Sequence, residues 1–327
     1  PPASLTVTAE DKTKVYGDLD PQLTYTVSGL KNGDSQADVL NSGSVSRAPG
    51  ENVGNYAIGQ GTLGLNEGKG GNYVLSFVDG NLAITPATLT VEAQDKSKVY
   101  GDADPALTHI VSGLKNGDTA ADVLNGGALV RDAGENVGSY GIHQGSLALN
   151  NAQGSNYVLQ FVDGKLTITP ASLTVTADNA GKVYGDLDPA LTYSISGLKG
   201  GDSAADVLNG GKLAREAGEN VGAYGIGQGD MGLNGGKGQN YILTYQAGTF
   251  TITPATLVVR GDDKTKVYGQ IDPALSYQVS GLKRDDTASS VLQGNLVREA
   301  GENVKSGGYA IQQGDLSLIS QNYLLQY

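Results

Sequence analysis

The chain of 327 residues contains 49 Gly and 10 Pro, has neither Cys nor Trp, and carries a formal net charge of −12. The acidic balance argues against nucleic acid and anionic membranes as partners, no apolar run is long enough to cross a membrane, and the lack of Cys excludes disulfides and thiolate metal sites. With 39% hydrophobic and 17% charged residues, the composition is too apolar for a disordered chain.

A short motif, Lys-Val-Tyr-Gly, recurs through the chain at a fixed interval of 84 residues. A period of this kind indicates a tandem array of one module, and a module of this length is able to bury a modest core of its own. The tyrosines of the motif are Tyr16, Tyr100, Tyr184 and Tyr268. The predicted modules are residues 3–86, 87–170, 171–254 and 255–327.

The first half of each module combines two strands with a short helix. Alternation of apolar and polar residues predicts strands over 5–9 and 23–27. Gly-Asp-Leu-Asp-Pro at 17–21 predicts a turn between them, because Gly, Asp and Pro each favour turn conformations. Ser35 followed by Asp38 resembles a capping box and predicts a helix of about two turns.

The second half of the module is predicted to consist of strands and loops. We expect short strands over residues 44–47, 56–58, 62–65, 73–77 and 81–85. Asp79-Gly80, between the last two, is a strong local signal for a β-hairpin. The predicted fold class is therefore mainly β with one short helix per module, and both a β-grasp-like and a β-sandwich-like module fit the pattern.

Consecutive modules are connected with almost no linker. The last strand of one module continues through Thr-Pro-Ala into the first strand of the next, at residues 85–87, 169–171 and 253–255. Proline keeps itself and the preceding residue extended, so a joint this short favours an elongated rod. The fourth module lacks the predicted last strand, and we expect the sequence to be a piece of a longer repeat tract.

Several motifs recur together and in order: KVYGDxDP, VSGLKNGD, GENVGxY, GxNYxLxF and ITPAxLTV. In these motifs the chain resembles the YGX-type MBG repeats of large bacterial surface adhesins of the filamentous-haemagglutinin, two-partner-secreted kind. The resemblance implies an extracellular, non-enzymatic segment on the bacterial cell surface, of the type common in adhesion and biofilm proteins. It brings no catalytic residues with it. In the fourth copy, Gln270 replaces the first Asp of the motif.

Paired aspartates in the first turn are candidate calcium ligands, since Asp-x-Asp supplies the oxygen ligands that Ca²⁺ prefers. The alternative interpretation is a plain turn, because Gly-Asp and Asp-Pro are turn formers. No EF-hand loop or Gly-rich nonapeptide repeat accompanies the pairs. The candidate ligands are Asp18, Asp20, Asp102, Asp104, Asp186 and Asp188.

Arg47 and Glu51 also recur in every module, and we interpret them as an ion pair that braces a loop rather than as a ligand clamp. The chain has 17 Tyr against three Phe, and exposed tyrosines are able to stack on sugar rings or anchor a partner. Tyr16 and Tyr73 are predicted to be structural. The candidate ligand-binding positions are Tyr25, His109, Tyr193 and Tyr277, which occupy the same place in the four modules.

The residue inventory contains no catalytic motif. A Cys nucleophile is excluded, and no GxSxG, HExxH or P-loop pattern is present. His109 and His143, the only histidines, have no motif around them. The leading hypothesis is a non-enzymatic stalk, in which the partners of each module are the neighbouring repeats. The alternative is an array of modules that bind extracellular polysaccharide or host glycan weakly and act by avidity.

Overall fold

The computed structural model describes all residues, 1–327, and its internal contacts divide them into two compact units. The first unit comprises residues 1–98 and 103–169, and the second comprises residues 99–102 and 170–327. The chain is mainly β, and each of four repeats contains sheets and one short helix. No helix is long and apolar enough to span a membrane.

Repeat 1 contains seven strands and one helix. They are β1 (Ala3–Ala9), β2 (Lys12–Val15), β3 (Tyr25–Ser28), α1 (Gln36–Val39), β4 (Ser46–Arg47), β5 (Gly54–Gly59), β6 (Tyr73–Val78) and β7 (Gly80–Thr85). The strands form two separate sheets, one in the order β3-β1-β6 and the other in the order β4-β5-β7-β2. Two sheets around one core correspond to the sandwich-like alternative.

The alternation seen in the sequence places one face of each sheet in the core. In β1, Leu5 and Val7 are fully buried, and in β7, Leu82 and Ile84 are buried opposite them in the same cluster. Strand β1 runs parallel to β6 and antiparallel to β3. Strand β7 lies inside the second sheet, parallel to β2 and antiparallel to β5. We call β7 and its counterparts the return strands.

Repeats 2 and 3 repeat this arrangement strand for strand. Repeat 2 comprises β8 (Ala87–Ala93), β9 (Lys96–Val99), β10 (His109–Ser112), α2 (Ala120–Val123), β11 (Val130–Arg131), β12 (Gly138–His143), β13 (Tyr157–Val162) and β14 (Gly164–Thr169). Repeat 3 comprises β15 (Ala171–Ala177), β16 (Ala180–Val183), β17 (Tyr193–Ser196), α3 (Ala204–Val207), β18 (Ala214–Arg215), β19 (Gly222–Gly227), β20 (Tyr241–Gln246) and β21 (Gly248–Thr253). A 3-10 turn precedes β6, β13 and β20, at Lys69–Asn72, Gln153–Asn156 and Lys237–Asn240.

Repeat 4 keeps the first sheet and has only fragments of the second. Its elements are β22 (Ala255–Gly261), β23 (Tyr277–Ser280), α4 (Ala288–Val291), β24 (Leu292–Gln293), β25 (Val297–Arg298), β26 (Ile311–Gln312), β27 (Ser317–Leu318) and β28 (Tyr323–Gln326). Strands β25 and β26 form a two-stranded sheet, and no return strand lies beside them. The segment 264–267, the counterpart of β2, is not in a strand.

The predicted helix is shorter than expected. The capping box forms, because the side chain of Asp38 accepts the backbone N–H and the hydroxyl of Ser35. The helix nevertheless stops after one turn, since Leu40 is already extended and pairs with Leu65 in an isolated β-bridge. The predicted strand over 62–65 was also wrong. A turn at Gly61, whose φ is +60°, leaves only Leu65 in position to pair.

The predicted β-hairpin at Asp79-Gly80 was wrong as well. Strands β6 and β7 do not pair, because β6 belongs to the first sheet and β7 to the second. Asp79, the single residue between them, connects the first sheet to the second at the edge of the module. Gly80 is required there by close packing on the end of β1, since a Cβ at this position would lie 2.8 Å from the carbonyl oxygen of Ala9.

Within each unit the apolar core does not stop at the end of a repeat. In the first unit, one buried cluster runs from Leu5 and Val7 of repeat 1 to Leu89 and Tyr157 of repeat 2. In the second unit, a cluster likewise runs through repeats 3 and 4. Continuous burial of this kind indicates that adjacent repeats in a unit share part of their core.

Candidate functional site

The tyrosine of the recurring Lys-Val-Tyr-Gly motif is buried against the next repeat. Tyr16 follows β2, and its backbone N–H donates to the carbonyl oxygen of Thr85 at 2.8 Å, at the end of the return strand. Its side chain reaches repeat 2, where only 2% of the residue stays exposed. Tyr16 and Tyr73 were predicted to be structural, and the burial of both confirms this.

Tyr16 meets a second tyrosine and a carboxylate in repeat 2. Its ring lies edge-on to the ring of Tyr157, with 5.4 Å between the centroids and 74° between the planes. The hydroxyls of both rings donate to the same oxygen of Asp118, at 2.9 Å from Tyr16 and 2.6 Å from Tyr157. Burial and the Asp118 carboxylate raise the pKa of Tyr157 to about 12. Both hydroxyls therefore remain protonated donors at neutral pH.

The residues after Tyr16 also touch repeat 2. Gly17 has a φ of +80°, and a Cβ at this position would lie 2.5 Å from the Cβ of Lys115. Glycine is thus required twice, once by the backbone conformation and once by the approach of the next repeat. The ammonium of Lys115 pairs with Asp18 at 3.2 Å, an exposed pair that contributes little stability by itself.

A buried asparagine forms the other side of this contact. Asn156 is almost fully buried, and its side-chain oxygen accepts the backbone N–H of Val53 at 2.8 Å. Its side-chain amide donates to the side-chain oxygen of Asn52 at 3.1 Å. We call this set of contacts the repeat joint. Its members are Tyr16, Gly17, Asp18, Asn52 and Val53 from repeat 1 and Lys115, Asp118, Asn156 and Tyr157 from repeat 2.

The same geometry recurs in the second unit. The ring of Tyr184 lies 5.4 Å from that of Tyr323, and its hydroxyl donates to Asp286 at 2.9 Å. Asn322 bonds Asn220 and the backbone of Val221 in the same way. Tyr100, which belongs to this unit, packs on Tyr241 at the same centroid distance and donates to Asp202. In all three places the recurring motifs supply the contacts.

The sequence reasoning missed the acceptor half of the joint. Lys115, Asp118, Asn156 and Tyr157 belong to the recurring motifs GLKNGD and GxNY, and the sequence analysis predicted no contact of these motifs with a neighbouring repeat. The sequence signal for these residues was that their motifs recur in every repeat together with Lys-Val-Tyr-Gly. The structure shows that these side chains hold one repeat to the next.

A second recurring cluster orders the loop that carries Asn52. The ammonium of Lys14, a side chain with only 4% of its surface exposed, bonds Asp20 and Glu51 at 2.7 Å each. Arg47 pairs with the same two carboxylates and packs over the ring of Tyr56, 5.5 Å from its centroid. We call these four charged residues the charge cluster. The predicted loop-bracing ion pair of Arg47 and Glu51 is confirmed.

The charge cluster predicts a loss of stability in acid. The hydrogen bond from Arg47, followed by that from Lys14, lowers the pKa of Asp20 from its usual 3.8 to about 2. The three counterparts, Asp104, Asp188 and Asp272, show the same shift. A carboxyl whose pKa falls on folding stabilises the protein above its unfolded-state pKa, and this contribution is lost as the pH falls towards the folded-state pKa.

We therefore expect the free energy of unfolding to decline steadily between about pH 4 and pH 2, as measured by denaturant titration followed by circular dichroism. The Asp20→Asn chain is the matched control. It is expected to be less stable at pH 7 and to lose less stability between pH 4 and pH 2. A stability that stays flat over this interval in the unaltered chain contradicts the role of the cluster.

The candidate calcium ligands face cations of the protein. In repeat 1, Asp18 pairs with Lys115, and Asp20 pairs with Lys14 and Arg47. The two carboxylates of a pair thus have different partners. Asp104 and Asp188 match Asp20, and Asp186 pairs with Lys283 in the way that Asp18 pairs with Lys115. No group of three or more His, Asp or Glu side chains is placed to hold a metal ion. A calcium site at Asp18, Asp20, Asp102, Asp104, Asp186 and Asp188 remains a prediction.

The candidate ligand-binding residues lie at the start of equivalent strands. Tyr25, His109, Tyr193 and Tyr277 begin β3, β10, β17 and β23 and pair with the ends of β1, β8, β15 and β22. Tyr193 is exposed and the other three are half-buried. Each lies in its own repeat, so the structure does not bring them into one site. Their role in binding remains a prediction.

The second histidine has charged neighbours that the sequence did not indicate. His143 lies at the end of β12, with its Nδ1 2.8 Å from Asp163 and its Nε2 3.0 Å from Asp132. Hydrogen bonds that the ring donates to the two carboxylates, that to Asp163 first, raise the pKa of His143 above its usual range. The cluster is exposed and occurs in one repeat only, so it has no part in the recurring joint.

Comparison with known protein families gives one result, and it covers nearly the whole chain. A family model described as MBG domain (YGX type) matches four stretches in tandem, at residues 5–83, 89–167, 173–251 and 257–327. No curated protein matches the chain in sequence. The four matches coincide with the four repeats and identify a structural repeat region of a kind that is not an enzyme family.

Proposed function

Since the chain belongs to the MBG domain (YGX type) family over almost its full length, we propose that it is a non-enzymatic structural spacer of a bacterial cell-surface adhesin. In this proposal the chain lies outside the cell and its neighbouring repeats are its main partners. Its task is to hold an adhesive region at a distance. The observation that carries the proposal is the repeat joint, in which the recurring motifs meet between repeats.

The joint supports a spacer because it resists bending by several independent contacts. A buried aromatic pair adds about 0.5–1.5 kcal/mol beyond its area, and a hydrogen bond to a charged group contributes about 1.5–3 kcal/mol. The contact between Tyr16 and Asp118 and the contact between Asn156 and Val53 involve different loops. Bending of the joint in one direction therefore opens at least one of these two contacts. Repeats in such arrays gain stability mainly from their nearest neighbours.

The composition is compatible with an exported setting. The absence of Cys means that folding does not depend on an oxidising compartment, and the net charge of −12 keeps neighbouring chains apart. The resemblance to repeats of surface adhesins points the same way. The alternative function is weak binding of polysaccharide or host glycan at Tyr25 and its counterparts, multiplied by avidity.

Distance measurements between spin labels test the spacer. Because the chain has no Cys, labels attach only where cysteine is introduced, and Ser42 and Asn151 are exposed positions in repeats 1 and 2. We expect one narrow distance distribution, which broadens when Tyr16→Ala is added. A distribution that is already broad before Tyr16 is changed overturns the rigid joint.

Binding to a glycan and exopolysaccharide panel, with calcium and with chelator, separates the two functions. The spacer predicts no binding in either condition. Saturable binding that disappears in a folded Tyr25→Ala, Tyr193→Ala, Tyr277→Ala chain favours the glycan-binding alternative. Binding that requires calcium directs attention to the paired aspartates.

A further inference from the structure

One edge of the first sheet is open in each of the first three repeats. In repeat 1 the sheet has the order β3-β1-β6, so β6 pairs with β1 on one side and with no strand on the other. Strands β13 and β20 hold the same place in repeats 2 and 3. We call β6, β13 and β20 the open edges. An edge strand presents unpaired backbone N–H and C=O groups, to which a strand of another chain is able to add.

The open edges lack the features that usually keep an edge strand from pairing. Their sequences, Tyr-Val-Leu-Ser-Phe-Val, Tyr-Val-Leu-Gln-Phe-Val and Tyr-Ile-Leu-Thr-Tyr-Gln, contain no charged residue, no Pro and no Gly. Natural edges are protected by such residues, by inward-pointing charges or by very short strands. The edges of the second sheet have this protection, because β2 contains the buried Lys14 and β4 is two residues long.

The outward face of the open edges is apolar, although a strand face in contact with water is usually polar. Val74, Val158 and Ile242 occupy the same position in the three repeats and are 58%, 57% and 60% exposed. Val78, at the other end of β6, is exposed as well. Repeat 2 is preceded and followed by another repeat in the sequence, so the exposure of Val158 does not depend on either end of the chain.

The inward face of the open edges is only partly covered. Leu75 and Phe77 of β6 pack against the core but remain half-buried, whereas Leu5 and Val7 on the adjacent strand β1 are fully buried. A strand added beside β6 therefore buries apolar surface on both faces of the sheet, which is favourable by about 25 cal/mol for each Å².

The sequence of β6 is complementary to a second copy of itself. Residues directly opposite each other in an antiparallel pair share one face of the sheet. A two-fold axis at Ser76 places Val74 opposite Val78 of the other copy, and Leu75 opposite Phe77. Apolar side chains then meet on both faces, and a two-fold interface of this kind uses the same patch on both partners. Strands β13 and β20 allow the same register.

We propose that the open edges are sites of self-association, at which two copies of this chain join through antiparallel pairing of equivalent edge strands. The edges are uncharged, but each chain carries a net charge of −12, so two copies repel each other at a distance. A strand of six residues is also small beside the roughly 20–30 residues that each partner contributes to a stable interface. The association is therefore weak, and it strengthens when salt screens the repulsion.

Sedimentation equilibrium of the full chain up to about 1 mM, at low and at high salt, tests the proposal. We expect reversible self-association that becomes stronger as the salt concentration rises. Amide exchange at β6, β13 and β20 is expected to slow with rising protein concentration, while exchange at β3, β10 and β17 stays unchanged. A chain that remains monomeric at high salt, or one that gains protection at the other edge instead, overturns the proposal.

A charge-exchange pair of variants tests the register. Lysine at the residues that face themselves across the two-fold axis places like charges directly opposite each other, and we expect association at constant salt to weaken about fivefold or more. Glutamate at the same positions weakens it equally. An equimolar mixture of the two variants is expected to recover association, although each variant keeps a net negative charge. The positions are exposed in the single chain: Ser76, Gln160 and Thr244.

The matched control carries Thr26→Lys, Ile110→Lys and Ser194→Lys, which add the same charge to exposed positions on the opposite edge of the same sheet. Circular dichroism checks that every variant is folded. We expect the control to associate at least as strongly as the unaltered chain, because its net negative charge is smaller. Equal weakening in the control and in the edge variant, or a mixture that recovers no association, overturns the proposal.

Discussion

Replacing Tyr16 by Ala is expected to lower the free energy of unfolding of the first unit by about 3–5 kcal/mol, the usual cost of truncating a buried aromatic side chain. The variant removes the edge-on contact with Tyr157 and one of the two hydroxyls that bind Asp118. The resulting cavity lies between two repeats, so both repeats are expected to lose stability. Amide exchange of β1 and β13 measures the loss in each repeat separately.

Tyr268→Ala is the matched control for this prediction. Tyr268 occupies the same position in repeat 4 but is largely exposed, and surface substitutions of this kind change stability by about 0.5 kcal/mol or less. If both variants lose the same stability, the tyrosine acts within its own repeat. If only Tyr16→Ala loses stability and exchange accelerates in β1 alone, repeat 2 does not depend on the joint.

Replacing Asp118 by Ala is expected to destabilise the first unit by about 2–5 kcal/mol, because two buried hydroxyls lose one shared acceptor. Asp118 accepts from Tyr16 and Tyr157, which come from different repeats. The variant therefore loosens the joint and the interior of repeat 2 together. Denaturant unfolding, with amide exchange of β13 as a local probe, measures the effect.

Asp34→Ala provides the comparison within the same chain. Asp34 is the counterpart of Asp118 in repeat 1, where it accepts from Tyr73 and pairs with the exposed Lys69. It receives no hydroxyl from another repeat, so its removal should cost about half as much. Equal losses in the two variants would show that the bond from Tyr16 adds nothing, which contradicts the joint.

The sequence allowed the repeats and most strands to be predicted, because both depend on local pattern. The period of Lys-Val-Tyr-Gly gave the four repeats, and alternation in Leu5, Val7 and Ala9 gave β1. The pairing of β1 with β6 was not predictable from the sequence, since the two strands are some 70 residues apart. The local pattern of each of these strands is compatible with several other strands as its neighbour. The Asp79-Gly80 turn misled for the same reason: local turn chemistry does not specify which sheet receives the next strand.

Only one half of the repeat joint was predictable from the sequence. Burial of Tyr16 was expected, but its partner Asp118 lies 102 residues away, in the next copy of the repeat. A sequence made of near-identical copies gives no indication of whether a recurring residue contacts its own copy or the following one. The structure distinguishes the two cases, because Asp118 and Tyr157, the partners of Tyr16, both belong to the following copy.

The joint has a consequence for how such a chain changes over generations. Every repeat carries both halves of the joint, the tyrosine on one side and the aspartate and asparagine on the other. Unequal recombination that inserts or deletes one whole 84-residue period therefore regenerates every joint, wherever in the repeat the crossover falls. Smaller changes of length within a repeat are also compatible with the joint, because Tyr323 lies 82 residues after Tyr241 rather than 84 and still packs on Tyr184. The gene is thus free to lengthen or shorten by whole repeats without the loss of a joint.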